Sequence, residues 1–110
     1  MHVELSEYKE WVKTLWQPEF ADKLNTRDLF IMSLGLPEEA GEVAGFIKKF
    51  VRDGTFDEEK LVNELGDVFY YLMMICIYFN IDPHHVVNMN VEKLESRKKR
   101  GTLRGSGDDR

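Results

Sequence analysis

The chain alternates between stretches whose apolar residues recur every three or four positions and short stretches rich in glycine, proline and aspartate. This period places the apolar side chains on one face of a helix, as at Leu5, Tyr8, Val12 and Leu15. We find no strand pattern of consequence and no internal repeat. The pattern therefore predicts an all-α protein.

Capping and breaking residues divide the first half of the chain into two predicted helices. The first covers about residues 6–16 and begins at a serine cap. An aperiodic connection, residues 17–25, leads to a second helix over about residues 26–51, which a threonine can cap. Gly35 and Pro37 fall inside the second helix, where we expect them to kink or interrupt it.

Two further helices are predicted in the second half. Asp57 is the expected cap of a helix over about residues 58–79. Asp82 then caps a helix over about residues 83–99, with a proline at its first position. Residues 101–110 contain three glycines and no periodic apolar residue, which predicts a loop or a disordered segment.

The length of 110 residues and the hydrophobic content of 43% fit one small domain. We expect a four-to-five-helix bundle over residues 1–100, completed by oligomerisation because a chain this short buries little surface alone, and a glycine-rich tail over residues 101–110. A charged N-terminus and a longest apolar run of 12 residues predict a cytoplasmic protein without a membrane segment.

The charge is distributed unevenly along the chain. The formal net charge is −5, but residues 93–104 carry six basic side chains against one acidic side chain, so that segment is +5 and the rest is −10. An acidic body with a basic C-terminal segment suits a metal ion and a small polyanion. It does not suit duplex nucleic acid, whose binders are usually basic overall.

Two acidic clusters stand on the predicted second and third helices. Glu39 and Glu42 are three residues apart and share a helix face, as do Glu64 and Asp67. Their neighbours are apolar, so four carboxylates turned toward the bundle would repel one another and lose hydration. A hard divalent cation such as Mg²⁺ would remove that penalty. Neither cluster has a histidine three residues on, which argues against a di-iron site.

Other polar residues extend these faces. The first cluster continues along its helix to Lys49, and the second to Tyr71. On the predicted fourth helix, Asn90, Lys93 and Arg97 form one polar stripe, which is typical of anion binding.

A simpler interpretation is a set of solvated helix faces, which is the usual explanation of a single glutamate pair. Two pairs, each with a glycine (Gly41 and Gly66) where another helix could pack closely, favour a metal site. A non-catalytic helical module that binds a partner through its acidic faces remains the alternative from another functional class.

The spacing E-E-x-x-E, followed some twenty residues later by E-x-x-D, resembles the MazG-type all-α nucleoside triphosphate pyrophosphohydrolases. The resemblance covers about residues 29–110. It includes SLGLPEEAGEVAGFIKKF, NELGDVFYYL and NVEKLESRKKRGTLRGSGDDR, the last of which is similar to the C-terminal signature of small single-domain members from phages and mobile cassettes.

The resemblance implies a role for each matching residue. The implied metal ligands are Glu39, Glu42, Glu64 and Asp67. Glu38 would lie next to the metal ligands without binding the metal, or would help to orient the attacking water, so that the implied catalytic residues are Glu38, Glu39 and Glu42. The residues implied in binding the sugar and phosphates are Lys49, Asn90, Lys93, Arg97, Arg104 and Arg110, the last two by closing over the triphosphate. Candidates for contact with the base are Trp11, Trp16 and Tyr71.

The expected function is therefore Mg²⁺-dependent hydrolysis of (deoxy)nucleoside triphosphates to a monophosphate and pyrophosphate, with Mn²⁺ as a substitute ion. The resemblance also implies a homodimer or homotetramer and a role in cleaning or adjusting the nucleotide pool. A related phosphohydrolase that acts on dUTP-like, diphosphate or phosphoribosyl-ATP substrates is a further alternative, since such enzymes share the acidic helices.

Overall fold

The structure is a computed structural model of the chain that describes residues 2–15, 26–108 and 110. Its helices are α1 (Leu5–Leu15), α2 (Thr26–Asp53), α3 (Glu58–Tyr78) and α4 (Pro83–Arg100). The described residues contain no β-strand, so the all-α prediction is confirmed.

The predicted caps of α3 and α4 are confirmed. The Asp57 carboxylate accepts a hydrogen bond from the backbone N–H of Lys60 at 3.2 Å, and the Asp82 carboxylate accepts one from the N–H of His84 at 2.9 Å. α4 ends at Gly101, whose left-handed φ of 70° suits a glycine. The starts of α3 and α4 could thus be predicted from their capping residues.

The start of α1 differs from the prediction of a Ser6 cap. The carbonyl of Glu4 accepts the first helical hydrogen bond, from the N–H of Tyr8 at 2.9 Å. The Glu4 N–H donates in turn to the carboxylate of Glu7 at 3.3 Å, which is one half of a capping box. The helix therefore begins at Leu5, with Glu4 as its N-cap and with the Glu7 carboxylate accepting the Glu4 N–H. Trp16 and residues 17–25 lie outside the described residues.

The predicted interruption of α2 is wrong, because one helix runs from Thr26 to Asp53 through Gly35 and Pro37. An interior proline removes its own N–H donor, here the one that would reach the carbonyl of Ser33, and its ring crowds that carbonyl, but neither effect ends α2. The helix remains continuous over 28 residues, and it packs along α3. The first acidic cluster therefore lies in the middle of a long helix.

A short aromatic loop joins α2 to α3. Gly54 has a φ of 75°, and its N–H donates to the carbonyl of Phe50 at 2.8 Å, which closes the last turn of α2. The Phe56 ring then makes edge-to-face contacts with Phe46 and Phe50, with centroids 5.8 and 5.5 Å apart. These contacts fold the loop back on α2 and bring α3 alongside it in the opposite direction.

The buried core lies between α1, α2 and α3. It consists of Val12 from α1, Met32 from α2, and Met73, Met74 and Ile77 from α3. α4 packs against α1, where the Lys9 ammonium donates to the carbonyl of Ile81 at 3.3 Å. We refer to α2 and α3, which carry the two acidic clusters, as the acidic hairpin. Because α1 contacts both α3 and α4, it connects this acidic hairpin to the basic helix α4.

α3 and α4 expose many apolar side chains. Phe69 and Leu72 of α3 and Val87, Val91 and Leu94 of α4 are between 39% and 54% exposed. α3 is also long and apolar enough to cross a membrane by length and composition alone, a test that core helices pass as well. Since α3 supplies three of the five core residues and carries an acidic cluster, we interpret it as the central helix of the bundle.

We predict that Asp82→Ala lowers the free energy of unfolding by about 1 kcal/mol, because the first turn of α4 loses its side-chain acceptor. Asp82→Asn is the matched control and should cost only a few tenths, since asparagine caps equally well. Urea unfolding followed by circular dichroism measures both variants. Equal destabilisation by alanine and asparagine would contradict this capping role.

Candidate active site

Three carboxylates from α2 and α3 converge in the structure. One oxygen from each of Glu39, Glu64 and Asp67 can be chosen so that the three lie within 4.8 Å of one another. Glu64 and Asp67 are adjacent because three residues make almost one helical turn, and Glu39 faces them from the antiparallel helix. The two acidic clusters are thus parts of one site.

Mutual repulsion is visible at Glu39. Its pKa is raised, first by partial loss of hydration and then by four neighbouring carboxylates, those of Asp67, Glu38, Glu64 and Glu42. A raised pKa means that the ionised form of Glu39 is disfavoured in this position. A bound cation would reverse that preference by neutralising part of the accumulated charge.

The separation of the oxygens fits a small divalent cation. Two oxygens on one Mg²⁺ ion lie at most about 4.2 Å apart, which is twice the metal–oxygen distance of about 2.1 Å. The three carboxylates, at 4.8 Å or less, would need to move by under about 1 Å, within reach of small side-chain rotations. Their oxygen-only chemistry also suits Mg²⁺ or Mn²⁺.

Glu42 and Glu38 lie at the edge of this group. Both side chains are exposed on α2, and both contribute to the raised pKa of Glu39, but neither belongs to the set of three converging oxygens. Glu42 stands one turn beyond Glu39 on the face directed at Glu64. The structure therefore brings together Glu39, Glu64 and Asp67 of the predicted ligands and leaves Glu42 beside them.

Tyrosines surround the carboxylates on the side of α1. The pKa of Tyr71 is raised by desolvation and then chiefly by Glu39 and Glu38, and the pKa of Tyr8 by desolvation, Tyr70 and Asp67. The ring of Tyr71 also lies against the backbone of α2 at Gly35. Sequence reasoning did not place Tyr8 or Tyr70 at the site.

Trp11, one of the predicted base contacts, lies next to this group. Its indole stacks on the Tyr8 ring with centroids 6.0 Å apart and remains 53% exposed. The helical spacing of Tyr8 with Leu5 and Val12 already predicted that Tyr8 faces the bundle. That signal could have identified Tyr8 as a neighbour of the site, whereas Trp16 lies outside the described residues.

The polar stripe of α4 is occupied by the chain's own tail. Arg97 is only 4% exposed, and its Nη2 donates to the carbonyl of Gly107 and to the carbonyl and carboxylate of Asp108, at 3.1–3.3 Å. The Lys93 ammonium donates to the same carboxylate at 3.1 Å. These two cations lower the pKa of Asp108. The tail is therefore a folded loop rather than a disordered segment.

The last residue completes this loop. The Arg110 guanidinium donates to the carbonyls of Thr102, Leu103 and Gly107, and its own carbonyl accepts a hydrogen bond from Arg100 at 2.7 Å. Arg104 is exposed, and its side chain makes no hydrogen bond to another described residue. Of the two tail arginines predicted to close over a triphosphate, Arg110 instead holds the loop together here.

Asn90 and Lys93 also line an open groove along α4. Its other residues are Ile81, His85, Val86 and Met89. Arg97 does not line this groove, and its buried Nε has no hydrogen-bond partner among the described residues. The stripe thus combines an accessible lysine and amide with a buried arginine.

The two halves of the predicted site are not joined within one chain. Among the described residues, no hydrogen bond or ion pair connects Lys93 or Arg97 with the three carboxylates, and α4 packs on α1. Lys49 is exposed near the end of α2, close to Asp53, whose pKa is lowered chiefly by its hydrogen bond from Arg52 and further by the charge of Lys49. It stands about 10 Å along the helix axis from Glu42.

Comparison with known proteins agrees with this geometry. Residues 31–102 match the MazG nucleotide pyrophosphohydrolase domain, a range that contains the acidic hairpin and α4. The chain is 35% identical to the Gene 37 protein of Mycobacterium phage L5 over the full length of both proteins. No solved structure gives a significant match.

The matched range covers more than half of the chain and contains all three converging carboxylates. The antiparallel acidic helices, the all-α fold and the full-length phage relative lead to one conclusion. The chain belongs to the MazG nucleotide pyrophosphohydrolase domain family.

Proposed function

We propose that this protein hydrolyses (deoxy)nucleoside triphosphates to a monophosphate and pyrophosphate in the presence of Mg²⁺, for which Mn²⁺ can substitute. The observation that carries the proposal is the convergence of Glu39, Glu64 and Asp67 within 4.8 Å between two helices. Family membership supports the reaction class. The cation and the substrate class are our inference from the carboxylate geometry and the charge of the chain.

The carboxylates have distinct roles in this proposal. Glu39, Glu64 and Asp67 hold the cation, and Glu42 joins them by a side-chain rotation from its place one turn away. When bound, the cation neutralises phosphate charge and makes a coordinated water more acidic. Glu38 is exposed beside Glu39 and accepts a proton from the attacking water.

The basic residues bind the polyanion. Lys93 and Asn90 contact the phosphates and the sugar from the open groove on α4, and Lys49 approaches from the end of α2. Positive charge close to the departing pyrophosphate stabilises the charge that develops on it. Tyr71, which lies close to Glu39, and Trp11, which stacks on Tyr8, are the described candidates for contact with the base, and Trp16 is a third candidate.

The tail must move for Arg97 to reach a phosphate. Its guanidinium is buried and donates to Asp108 and Gly107 in this structure. The Asp108 side chain is 82% exposed, so a phosphate can approach from solvent and replace its carboxylate as the anionic partner of Arg97 and Lys93. Arg104 and Arg110 would then close over the triphosphate with the rest of the tail.

A second copy of the chain would complete the site. The carboxylates and the α4 stripe are not connected within one chain, and α3 and α4 expose Phe69, Leu72 and Val87 next to one another along an apolar groove. We infer a homodimer, or a tetramer built from it, in which α4 of one copy serves the acidic hairpin of the other. We also assign the protein to the cytoplasm and to control of the nucleotide pool.

We predict that the protein releases pyrophosphate from a panel of nucleoside triphosphates with Mg²⁺ and not with EDTA. Asp67→Asn should lower kcat by about 100-fold, because the substitution replaces a charged metal ligand with a neutral amide, and loss of even an outer contact costs about 10–100-fold. Glu59→Gln is the control, since Glu59 is an exposed carboxylate in the first turn of the same helix.

A folded protein that releases no pyrophosphate from any triphosphate would contradict the proposal. Release of phosphate alone, or activity confined to diphosphates, would favour a related phosphohydrolase. Equal activity of Asp67→Asn and Glu59→Gln would remove the carboxylate cluster from the mechanism.

The shared site can be tested by combining two variant chains, each of which carries a different inactivating substitution. We predict that Asp67→Asn and Lys93→Ala chains, each inactive alone, form a heterodimer with about half of the wild-type activity. One of its two sites combines the intact carboxylates of one copy with the intact lysine of the other. Co-expression with two different tags and tandem purification gives the heterodimer.

A heterodimer as inactive as its parents would show that carboxylates and lysine act within one chain. As a control, the two variants are purified separately and then mixed under conditions in which subunits do not exchange. This mixture should show no recovered activity. Sedimentation of the wild-type protein as a monomer would contradict the shared site directly.

A further inference from the structure

Gly35 of α2 is in close contact with Tyr71 of α3. It is buried, and a Cβ atom added to it would lie 2.2 Å from Cε1, 2.4 Å from Cζ and 2.6 Å from Cδ1 of Tyr71. No Cβ atom tolerates such distances, so the ring occupies the volume that any other residue at position 35 would need. Of the glycines within α2 and α3, Gly41, Gly45 and Gly66 have open space instead.

This contact lies one helical turn from the carboxylates. Glu39 is four residues after Gly35 on α2, and Asp67 is four residues before Tyr71 on α3. In an antiparallel helix pair, these equal steps place Gly35 with Tyr71 and Glu39 with Asp67 at successive levels on the same faces. Any change in the separation of the helices at the first level is transmitted to the second, because one turn of helix is rigid.

We propose that Tyr71 is a positioning residue whose ring, seated on Gly35, sets the separation and register of α2 and α3 at which the three carboxylates share one cation. This inference rests on the proposed function and adds a determinant of its metal affinity. The role belongs to the ring of Tyr71 and to the missing side chain at position 35, and it does not require the Tyr71 hydroxyl.

The geometry leaves little tolerance for error. The oxygens lie within 4.8 Å, and one Mg²⁺ ion accepts at most about 4.2 Å between two of them. Any further separation of the helices would move the oxygens farther from the distance that one ion can span and would weaken cation binding. An alanine at position 35 would force that separation or expel the ring, since its Cβ would meet the middle of a rigid aromatic side chain.

The test measures Mn²⁺ and Mg²⁺ affinity by calorimetry at a temperature where circular dichroism shows each variant to be folded. Gly35→Ala should bind the cation at least about tenfold more weakly, the size of effect seen when groups that orient metal ligands are removed. Gly45→Ala is the matched control, because it adds the same methyl group to the same helix where nothing lies within 4 Å. Its affinity should stay within about twofold.

Substitutions of the ring separate positioning from general stability. Tyr71→Phe keeps the ring and should retain wild-type affinity, whereas Tyr71→Ala should lose it. Gly35→Ala should cost nothing further in a Tyr71→Ala background, because the added Cβ then has no ring to meet. If Gly35→Ala does not fold, the comparison of Tyr71→Phe with Tyr71→Ala carries the test.

Each outcome has a separate meaning. Wild-type affinity in both Gly35→Ala and Tyr71→Ala would overturn the positioning role while leaving the metal site intact. Equal loss in Gly35→Ala and Gly45→Ala, or fully additive effects in the double variant, would also overturn it. A wild-type protein that binds neither cation would refute the proposed metal site, and the positioning role with it.

Discussion

Repulsion among carboxylates held between two helices is the constraint on which the rest of this molecule depends. Glu39, Glu64 and Asp67 lie within 4.8 Å because α2 and α3 pack side by side, and this packing raises the pKa of Glu39. The core joins Met32 of α2 to α1 and to the C-terminal half of α3, and Phe56 packs on α2 at the other end of the helix pair, so that contacts on both sides of the carboxylates oppose the repulsion. The helical frame thus holds a concentration of negative charge that a cation would stabilise.

The positive charge that faces solvent and the tail is concentrated on a separate helix, α4. α4 contacts the frame through α1, and its cations are held by the folded tail. A buried charge is tolerated only when it is paired, and Asp108 with two tail carbonyls pairs Arg97. In the proposed reaction a triphosphate joins the two charge systems, which explains why a small acidic protein needs one basic helix.

Much of the fold was predictable because its signals are local. Asp57 and Asp82 cap helices through their own side chains, so the boundaries of α3 and α4 followed from single residues. The pairing of Glu64 with Asp67 followed from helical spacing. Continuity of α2 through Pro37, burial of Arg97 by the tail and contact of Gly35 with Tyr71 depend on packing between distant segments, which no local pattern encodes. For the same reason, spacing alone could not rank Glu42 below Glu39 as a ligand.

The most direct test of the account is to locate a bound cation by paramagnetic broadening. Substoichiometric Mn²⁺ added to ¹⁵N-labelled protein should first broaden the amide signals around residues 38–42 and 63–68, where the three carboxylates converge. Broadening that begins instead at other exposed acidic residues, such as Glu58 and Glu59 at the start of α3, would contradict the account. It would show that the convergence of Glu39, Glu64 and Asp67 does not form the preferred cation site.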